Sequence, residues 1–403
     1  MAKVDQQKIK EILTRGVDEV IDRDSLEKKL ASGKKLRIKL GIDPTSPNLH
    51  LGRAIPLLKL RDFQEAGHKI VFIIGDFTGV IGDTSDKDSE RPMLDEKTIR
   101  QNMKTYVEQA GKILDIKKCE IRHNSEWLKK IGYHEIGKQA DAFSLAEFIA
   151  RENIKKRLDA GKRISLRELL YPLMQGYDSV AIKADVEIGG TDQRFNLLAG
   201  RELQRLYKQE PQDIITNPLI EGLDGRKMSS SWGNTVNLLD SAGDMFGKIM
   251  SLKDEFMIRY FTLATRVDMQ KISEYEKQLS AGENPRNIKA ELAKEIVKLY
   301  YGEVLAKRAE EEFDKIFRNR EVPSDMPVFE TEKKNYPVLD LLCDTKLVSS
   351  KNEAKRLVES NAVEIIVGEK KEKITDWKKE LSLESNMVLK VGSRRFAKII
   401  IKK

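Results

Sequence analysis

The fold is decided by the stretch Gly41-Ile42-Asp43-Pro44-Thr45-Ser46-Pro47-Asn48-Leu49-His50-Leu51-Gly52-Arg53. A run of alternating apolar residues, 36–40, precedes it, and an amphipathic segment that ends at Gly67 follows it. A strand, a turn rich in Gly and Pro, and a helix in this order are typical of a nucleotide site in an α/β protein, because the helix start offers unpaired N–H groups to phosphate. His50 and Arg53 are three residues apart, so we expect both on one face of the first turn, where they suit an anion whose charge grows during a reaction.

Two further loops follow predicted strands. Residues 70–74 are all apolar, which is typical of a parallel strand buried on both faces, and a glycine-rich loop (75–83) comes next. A strand over 184–188 ends in a third polar loop, 189–193. The pattern predicts an α/β fold with a Rossmann-like parallel sheet and one crevice at its carboxyl edge.

The remaining segments are mostly helical in pattern. Pro56 is expected in the first turn of its helix, where its missing N–H costs nothing. The predicted helices cover 3–33, 53–66, 95–115, two or three segments within 125–168, 194–208 and most of 240–320, and another strand covers 214–220.

One predicted helix carries an unusual stripe. Tyr171, Gln175 and Asp178 are spaced by four and three residues, so on a helix they share one face. A core stripe would be wholly apolar, and a solvated stripe would lack the large hydrophobic neighbours found here. This stripe is therefore a candidate binding surface.

Composition narrows the class of protein. The chain has 403 residues, 40% of them apolar, which predicts a globular protein of two or three domains. The net charge of +8 is compatible with a nucleic-acid partner, although a solvated charged surface explains it equally well. Two distant cysteines, and the lack of an apolar leader or membrane-length run, lead us to expect a cytoplasmic protein with reduced thiols.

The last part of the chain is predicted to be a separate small unit. Pro323 and Pro327, with Pro337 directly after the segment, make 320–336 a linker candidate. Beyond it, Ser350 and Glu353 form a capping-box pattern before a helix, Asn361 suits its left-handed end, and strands are expected over 363–367, 387–391 and 395–401. Lys351, Lys355 and Arg356 cluster on that helix and make RNA binding a candidate function, beside the plainer interpretation of a charged surface.

The predicted crevice favours one kind of chemistry. It gathers carboxylates that can accept hydrogen bonds from hydroxyl or ammonium groups, and cations that can hold phosphates, but no Cys, no Ser-His-Asp set and no zinc-type cluster. This combination points to phosphoryl or nucleotidyl transfer by positioning and charge stabilisation. The carboxylates are Asp43, Asp83 and Asp192, and the cations and imidazole are His50, Arg53, Lys87, Arg91 and Lys227.

These motifs together resemble a known family. The run Pro44-Thr45-x-x-x-Leu49-His50-Leu51-Gly52-Arg53 is similar to the HIGH signature of class I aminoacyl-tRNA synthetases, and Lys227-Met228-Ser229-Ser230-Ser231 to their KMSKS loop. With the loop at 79–83, the Tyr171 stripe and the loop at 189–193, the set resembles the bacterial tyrosyl-tRNA synthetases. The tail resembles the S-four-like RNA-binding domain of such enzymes.

The resemblance implies a domain plan and an activity. It implies a Rossmann-type catalytic domain (1–225) with a helical dimerisation insertion near 125–165, an α-helical anticodon-binding domain with the KMSKS-type loop (226–322), a linker (323–336) and an α+β S-four-like domain (337–403). The implied reaction joins tyrosine and ATP into tyrosyl-adenylate with release of pyrophosphate, and transfers tyrosine to the 3′ end of tRNA(Tyr). Mg²⁺ would accompany ATP, and the enzyme would be a homodimer.

The resemblance also implies roles for individual residues. Tyrosine would be bound by Lys39, Gly41, Thr78, Asp83, Tyr171, Gln175, Asp178 and Gln193. Within that set Asp178 would read the phenol hydroxyl, and Lys39 stands where the family has a tyrosine partner of that hydroxyl. ATP would be bound by Asp43, His50, Gly52, Gly190, Asp192, Lys227 and Met228. Catalysis would rest on Thr45, His50, Arg53, Lys87, Arg91, Lys227 and Ser230, and RNA contacts on Lys351, Lys355 and Arg356.

Departures from the family pattern leave more than one function open. Arg53 replaces the second HIGH histidine, Ser230 replaces the second KMSKS lysine, and Glu187 replaces a glutamine before the Gly-Gly pair. The first two would also fit a synthetase-derived RNA-binding protein, such as a splicing cofactor, with weakened catalysis. A tryptophanyl-tRNA synthetase and a small nucleotidyltransferase share the catalytic fold and are further candidates.

Overall fold

The computed structural model describes residues 5–83, 93–317, 326–368, 370–392 and 395–402. The chain divides into two compact units, residues 1–306 and 307–403. None of the described helices is long and apolar enough to cross a membrane.

A six-stranded sheet forms the centre of the first unit. Its order is β1-β6-β5-β2-β3-β4, and every neighbouring pair is parallel except β1 with β6. The strands are β1 (Glu19–Ile21), β2 (Arg37–Ile42), β3 (Lys69–Ile74), β4 (Glu120–His123), β5 (Val186–Gly190) and β6 (Asp213–Asn217). This confirms the α/β class with a parallel sheet, and it puts β2, the strand before the opening stretch, in the middle of the sheet.

Helices surround this sheet and fill the rest of the unit. The helices that precede β6 are α1 (Gln6–Thr14), α2 (Arg23–Ala31), α3 (Leu51–Glu65), α4 (Thr78–Ile81), α5 (Glu96–Asn102), α6 (Tyr106–Gly111), α7 (Ser125–Leu128), α8 (Tyr133–Asp141), α9 (Leu145–Ile149), α10 (Glu152–Asp159), α11 (Leu166–Ile182) and α12 (Arg194–Leu206). After β6 come α13 (Ala242–Met250), α14 (Met257–Ala264), α15 (Met269–Ser280) and α16 (Pro285–Tyr301), while α17 (Glu303–Phe317) begins before the division between the units and continues past it.

The buried strands follow the sequence pattern closely. All of residues 70–74 are buried, as expected for a strand covered on both faces. Gly67 has a φ of +89°, a left-handed conformation that ends α3 at little cost. Pro56 lies two residues deeper in α3 than predicted, because the helix begins at Leu51 rather than at 53. The carbonyl of Gly52 therefore loses the hydrogen bond that residue 56 would donate.

One predicted element of this unit is wrong, and one strand was not predicted. The expected helix over 3–33 is broken by β1, which forms the antiparallel edge of the sheet beside β6. Gly16 at φ +60° and Asp22 at φ +66° turn the chain on either side of it, and helices rarely continue through such residues. Residues 116–124, between two predicted helical segments, were assigned no element and contain β4, whose residues are all only half-buried at the sheet edge.

The second unit has its own small core. A five-stranded sheet has the order β10-β9-β12-β13-β7, and β8 pairs with β11. The elements are β7 (Val328–Thr331), β8 (Asn335–Pro337), α18 (Val338–Asp344), α19 (Lys351–Glu359), β9 (Val363–Val367), β10 (Lys370–Lys373), β11 (Glu380–Ser382), β12 (Val388–Val391) and β13 (Arg395–Ile401). Apolar residues from α18, α19 and the sheet pack into one cluster, which explains how this small unit is stabilised.

Part of the predicted linker is structured. β7 pairs in parallel with β13 and β8 pairs with β11, so residues 328–331 and 335–336 belong to the sheets rather than to a linker. The capping prediction is right for Ser350, whose side chain accepts from the Glu353 N–H, but Glu353 itself accepts from Ser349. Asn361 ends α19 at φ +55°, as predicted.

Candidate active site

A cavity of about 270 Å³ opens at the carboxyl ends of β2, β3 and β5. Its size is close to the lower end of ordinary small-molecule pockets, roughly 300–1,000 Å³. The three predicted loops and the stripe on α11 all line it. The predicted site residues along its wall are Gly41, Asp43, Thr45, His50, Gly52, Arg53, Thr78, Asp83, Tyr171, Gln175, Asp178, Gly190, Asp192, Gln193, Lys227, Met228 and Ser230.

Asp43 joins the α11 side of the cavity. The Tyr171 hydroxyl donates to one of its carboxylate oxygens at 2.9 Å, and the Thr78 hydroxyl to the other at 2.7 Å. Burial raises the pKa of Asp43 to about 6, although these two donors act in the opposite direction. Asp43, which we predicted on the ATP side, is therefore bound to two groups of the predicted tyrosine side.

Asp178 provides a buried acceptor deeper in the same wall. Trp127 Nε1 donates to it at 2.8 Å and Asn124 Nδ2 at 3.3 Å. Burial raises the pKa of Asp178 to about 7, while the charge of Lys39 and the two donors lower it. The carboxylate lies on the cavity wall, where a hydroxyl donor from a ligand would compensate for its loss of water.

Asp83 and Gln193 connect the second loop to the third. Gln193 Nε2 donates to Asp83 at 2.6 Å, and Asn196 Nδ2 of α12 donates to the side-chain oxygen Oε1 of Gln193 at 2.9 Å. The two loops therefore meet across the cavity, with one carboxylate and one amide facing it.

The structure contradicts the prediction for Lys39. We predicted that it contacts the ligand, but its side chain is completely buried and does not line the cavity. Its ammonium is 2.8 Å from Glu187, and it donates to the Gln175 carbonyl and to the Ser179 hydroxyl, each at 2.8 Å. Lys39 faces inward because the central strand β2 alternates its side chains, and because Glu187 on the adjacent strand β5 offers an opposite charge.

The opposite side of the cavity is built by the opening stretch. His50 is the N-cap residue of α3, and burial, with the charges of Arg53 and Lys227, lowers its pKa to about 3, so it is neutral near pH 7. Arg53 donates to the Thr45 hydroxyl at 3.1 Å and to the Asp43 carbonyl at 3.0 Å. The Tyr106 hydroxyl also accepts from Arg53, at 3.2 Å, which holds this fixed cation at the cavity wall.

Two glycines make this arrangement possible. A Cβ at Gly75 would lie 2.0 Å from an Asp43 oxygen and 2.5 Å from the Thr78 hydroxyl. A Cβ at Gly52 would lie 3.1 Å from the His50 ring. Both glycines are required by close packing of functional side chains, and neither has a positive φ.

The loop with Lys227 closes another edge. The Lys227 ammonium is 2.9 Å from Asp192, so the predicted ATP-binding carboxylate and the predicted mobile cation are paired. Met228 is buried, and its sulfur accepts from the Gly52 N–H at 3.4 Å. The hydroxyls of Ser230 and Ser46 are 3.4 Å apart, which brings the two signature loops into contact.

Several supporting residues were not found by sequence reasoning. Asn124 and Trp127 follow β4, and they were missed because that strand was not predicted. A polar residue directly after a strand is the signal that identified the other loops, so a correct prediction of β4 would have pointed to Asn124. Tyr106, which holds Arg53, has no such signal. Lys87 and Arg91 lie outside the described residues.

The predicted RNA-binding residues lie on α19 in the second unit. Lys351 and Arg356 are exposed, and the Lys351 ammonium is 2.5 Å from Asp340. Lys355 lies 4.5 Å above the Trp377 ring, with Lys378 5.2 Å from the same ring. Cations around a partly exposed aromatic ring are a common feature of nucleic-acid-binding surfaces.

Comparisons with known proteins agree with this geometry. A family model described as tRNA synthetases class I (W and Y) matches residues 31–318, and one described as the SYY-like C-terminal domain of tyrosine–tRNA ligase matches residues 319–398. A tyrosine–tRNA ligase from Thermotoga maritima is 46% identical over 96% of both chains. One from Francisella tularensis is 45% identical over 97% of this chain and 98% of its own.

A solved structure extends the likeness to the fold. The C-terminally truncated mitochondrial tyrosyl-tRNA synthetase of Coccidioides posadasii is 25% identical, with a TM-score of 0.62, over 76% of this chain and 92% of its own. The matched family models, the full-length relatives and the cavity that gathers both signature loops all agree, and the chain therefore belongs to the tyrosine–tRNA ligases of the class I aminoacyl-tRNA synthetase family.

Proposed function

We propose that the chain activates tyrosine with ATP to give tyrosyl-adenylate and pyrophosphate, and then transfers tyrosine to the 3′ end of tRNA(Tyr). The observation that carries this proposal is the cavity itself. One wall has hydrogen-bonding groups for an amino acid with a phenol, and the other has a helix start, a fixed cation and a lysine loop for a polyphosphate. Named relatives with full-length coverage support the same reaction.

The amino acid is proposed to bind against α11. Asp178 would accept from the phenol hydroxyl, and a site built around such an acceptor rejects phenylalanine because the carboxylate would stay unpaired. Asp83, Tyr171 and Gln175 would hold the ammonium group. Thr78 and Asp43 would support them from the adjacent loop, since Asp43 already accepts from both Thr78 and Tyr171. Gln193 would lie beside the tyrosine carboxylate. Gly41, which has no side chain, would leave space for the bound amino acid.

ATP is proposed to bind across the carboxyl edge of the sheet. Gly190 and Asp192 would hold its ribose, and Asp192 would exchange its present partner Lys227 for the sugar hydroxyls. Gly52 and Met228 would contact the nucleotide at the start of α3. Mg²⁺ would enter on the phosphate oxygens, as it does with most polyphosphate substrates.

Catalysis in this proposal is positioning and charge stabilisation. The tyrosine carboxylate is already ionised, so it attacks the α-phosphorus without a base, and the bond to the bridging oxygen of pyrophosphate breaks. Thr45, neutral His50 and Arg53 would stabilise the charge that grows on the leaving group. Lys227 would do so from the mobile loop, with Ser230 beside it and with Lys87 and Arg91 as further cations.

Two assembly features belong to the proposal. The helical insertion exposes several large apolar side chains, and we propose a homodimer through them because such a group is typical of an interface. They include Tyr133 (93% exposed), Leu145 (63%), Leu158 (44%) and Leu166 (77%).

The second unit would bind tRNA through Lys351, Lys355 and Arg356, and the helices after residue 226 would contact the anticodon arm. The setting would be the cytoplasm. Sedimentation velocity of the intact chain tests the dimer directly.

The activation step is tested by pyrophosphate exchange into ATP with each of the twenty amino acids. Exchange with tyrosine alone is the expected result. Exchange with tryptophan would support a tryptophanyl-tRNA synthetase instead. Absence of exchange, with tight tRNA binding retained, would support the RNA-binding protein with weakened catalysis.

A further inference from the structure

A fully buried ion pair lies directly beneath the proposed tyrosine pocket. Lys39 on β2 is 0% exposed and Glu187 on β5 is 1% exposed, and their charged groups are 2.8 Å apart. Burying two charges costs several kcal/mol, and apolar side chains of similar size would often be equally stable or more stable there. A role in the function of the site would explain the presence of such a pair.

The pair is connected to the pocket at two positions of α11. Lys39 donates to the Gln175 carbonyl and to the Ser179 hydroxyl, four residues apart, so its contacts lie on both sides of Asp178. Glu187 accepts from the Gln175 amide at 3.3 Å and from the Ser179 hydroxyl at 3.0 Å. Gln212 donates to the same carboxylate from beneath at 2.5 Å.

We propose that Lys39 and Glu187 are positioning residues that fix Gln175 and set the charge of Asp178, and so control selection of tyrosine over phenylalanine. The proposal rests on the function proposed above. It differs from our sequence prediction, in which Lys39 would be one of the residues that bind tyrosine. Lys39 acts from below the pocket, because it does not line the cavity, whereas its partner Glu187 is one of the lining residues.

The two charges act on Asp178 in opposite directions. Lys39 favours the ionised carboxylate and Glu187 disfavours it, with Lys39 the stronger of the two. The other groups that act on Asp178 are its donors Trp127 and Asn124, and burial opposes its charge. Removal of either charge should therefore shift the pKa of Asp178 in a direction that depends on which charge is removed. A loss of packing alone would not give opposite directions for the two variants.

The experiment measures kcat/KM for tyrosine and for phenylalanine between pH 5.5 and 9 in pyrophosphate exchange with the intact chain. Lys39→Met is expected to move the acid limb of the tyrosine profile upward by about one pH unit, and to lower the tyrosine-over-phenylalanine ratio at pH 7 about tenfold. Glu187→Gln is expected to move the acid limb downward. KM for ATP should change less than about twofold in both variants, since the ATP groups lie on the other wall.

A control and a second variant keep the outcome decisive. Lys59→Met removes another buried lysine, which is 3.2 Å from Asp62 and does not line the cavity, and its profile should match that of the parent. Lys39→Met leaves Glu187 unpaired, so if this variant is unstable, the double variant Lys39→Met/Glu187→Gln removes the whole pair and should give an acid limb between those of the single variants.

Shifts of the acid limb in the same direction for both single variants, or an unchanged selectivity ratio in all variants, would overturn the positioning role. Failure of the proposed function looks different, because the parent itself would then show no exchange with tyrosine.

Discussion

At the scale of single residues, the site depends on carboxylates held away from water. Asp43 and Asp178 both accept hydrogen bonds from neutral donors, and burial raises the pKa of each. A cation paired with each carboxylate would lower the cost of burying its charge. The pairing would, however, occupy the oxygen atoms that a ligand needs as hydrogen-bond acceptors. The arrangement therefore exchanges stability for recognition, which is common at functional sites.

Asp178→Asn tests recognition of the phenol. The amide keeps the size of the side chain but offers a weaker acceptor, so we expect the tyrosine-over-phenylalanine ratio of kcat/KM to fall by about tenfold or more. Exchange with phenylalanine should change much less than exchange with tyrosine. Pyrophosphate exchange with both amino acids measures this, and equal losses for the two would contradict the role of Asp178.

The same substitution tests the cost of the buried carboxylate. The pKa of Asp178 is about 7 in the folded chain and about 4 when unfolded, so the unfolded state releases its proton first and stability falls as pH rises from 4 through 7. Asparagine cannot ionise, so the variant does not lose stability in this way as the pH rises.

Relative to the parent, Asp178→Asn should gain about 3 kcal/mol in unfolding free energy between pH 4.5 and pH 8. Urea unfolding at the two pH values measures the difference, and Asp43 titrates in both proteins and so cancels. A stability difference that is the same at both pH values would show that Asp178 titrates normally.

At the scale of elements, the two signature loops differ from the family in complementary ways. Arg53 places a fixed cation on α3, where it holds Thr45, and Ser230 lacks the lysine of the second loop while lying 3.4 Å from Ser46. One static charge could thus replace one mobile charge at the leaving pyrophosphate. This compensation is a hypothesis that a double-mutant cycle can test.

Arg53→Ala is expected to slow adenylate formation about a hundredfold, since it removes a charge at the proposed leaving group. Ser230→Lys should change the parent by only a few-fold but restore at least about tenfold in the Arg53→Ala background. Rapid-quench measurement of adenylate formation gives all four rates. Ser231→Lys adds the same charge one residue later and is the control; equal rescue by both lysines, or none by Ser230→Lys, contradicts compensation.

The elements also show what sequence patterns can and cannot predict. Strands β2, β3, β5 and β6 were predictable because they are central and rich in buried apolar residues, and the loops after them gave most of the cavity wall. β1 and β4 lie at the sheet edges, where half-buried strands lose that pattern, and Asn124 was missed with β4. The direction in which Lys39 points depends on Glu187 of another strand, which no local pattern reveals.

At the scale of the whole molecule, the chain combines two units with separate cores. Among the described residues, those that line the cavity all belong to the first unit, and the basic cluster of α19 belongs to the second. Such a division predicts that activation of tyrosine and binding of RNA can be impaired independently.

Lys355→Ala/Arg356→Ala is expected to raise KM for tRNA about tenfold, with a smaller effect at high salt, because fewer phosphates are neutralised. Pyrophosphate exchange without tRNA should be unchanged. Initial rates of tRNA charging at two salt concentrations measure this effect. Lys370→Ala/Lys373→Ala removes the same charge from β10 and serves as the control. An equal effect of both double variants would show that only the net charge of the unit matters and would contradict a specific role of α19.

The most direct test of the proposed activity is charging of tRNA by the purified intact chain with labelled tyrosine, ATP and total bacterial tRNA. We predict ATP-dependent attachment of tyrosine to tRNA, no attachment of tryptophan, and loss of attachment when pyrophosphate is added in excess. Charging with tryptophan, or tRNA binding without charging by any amino acid, would contradict the proposed activity.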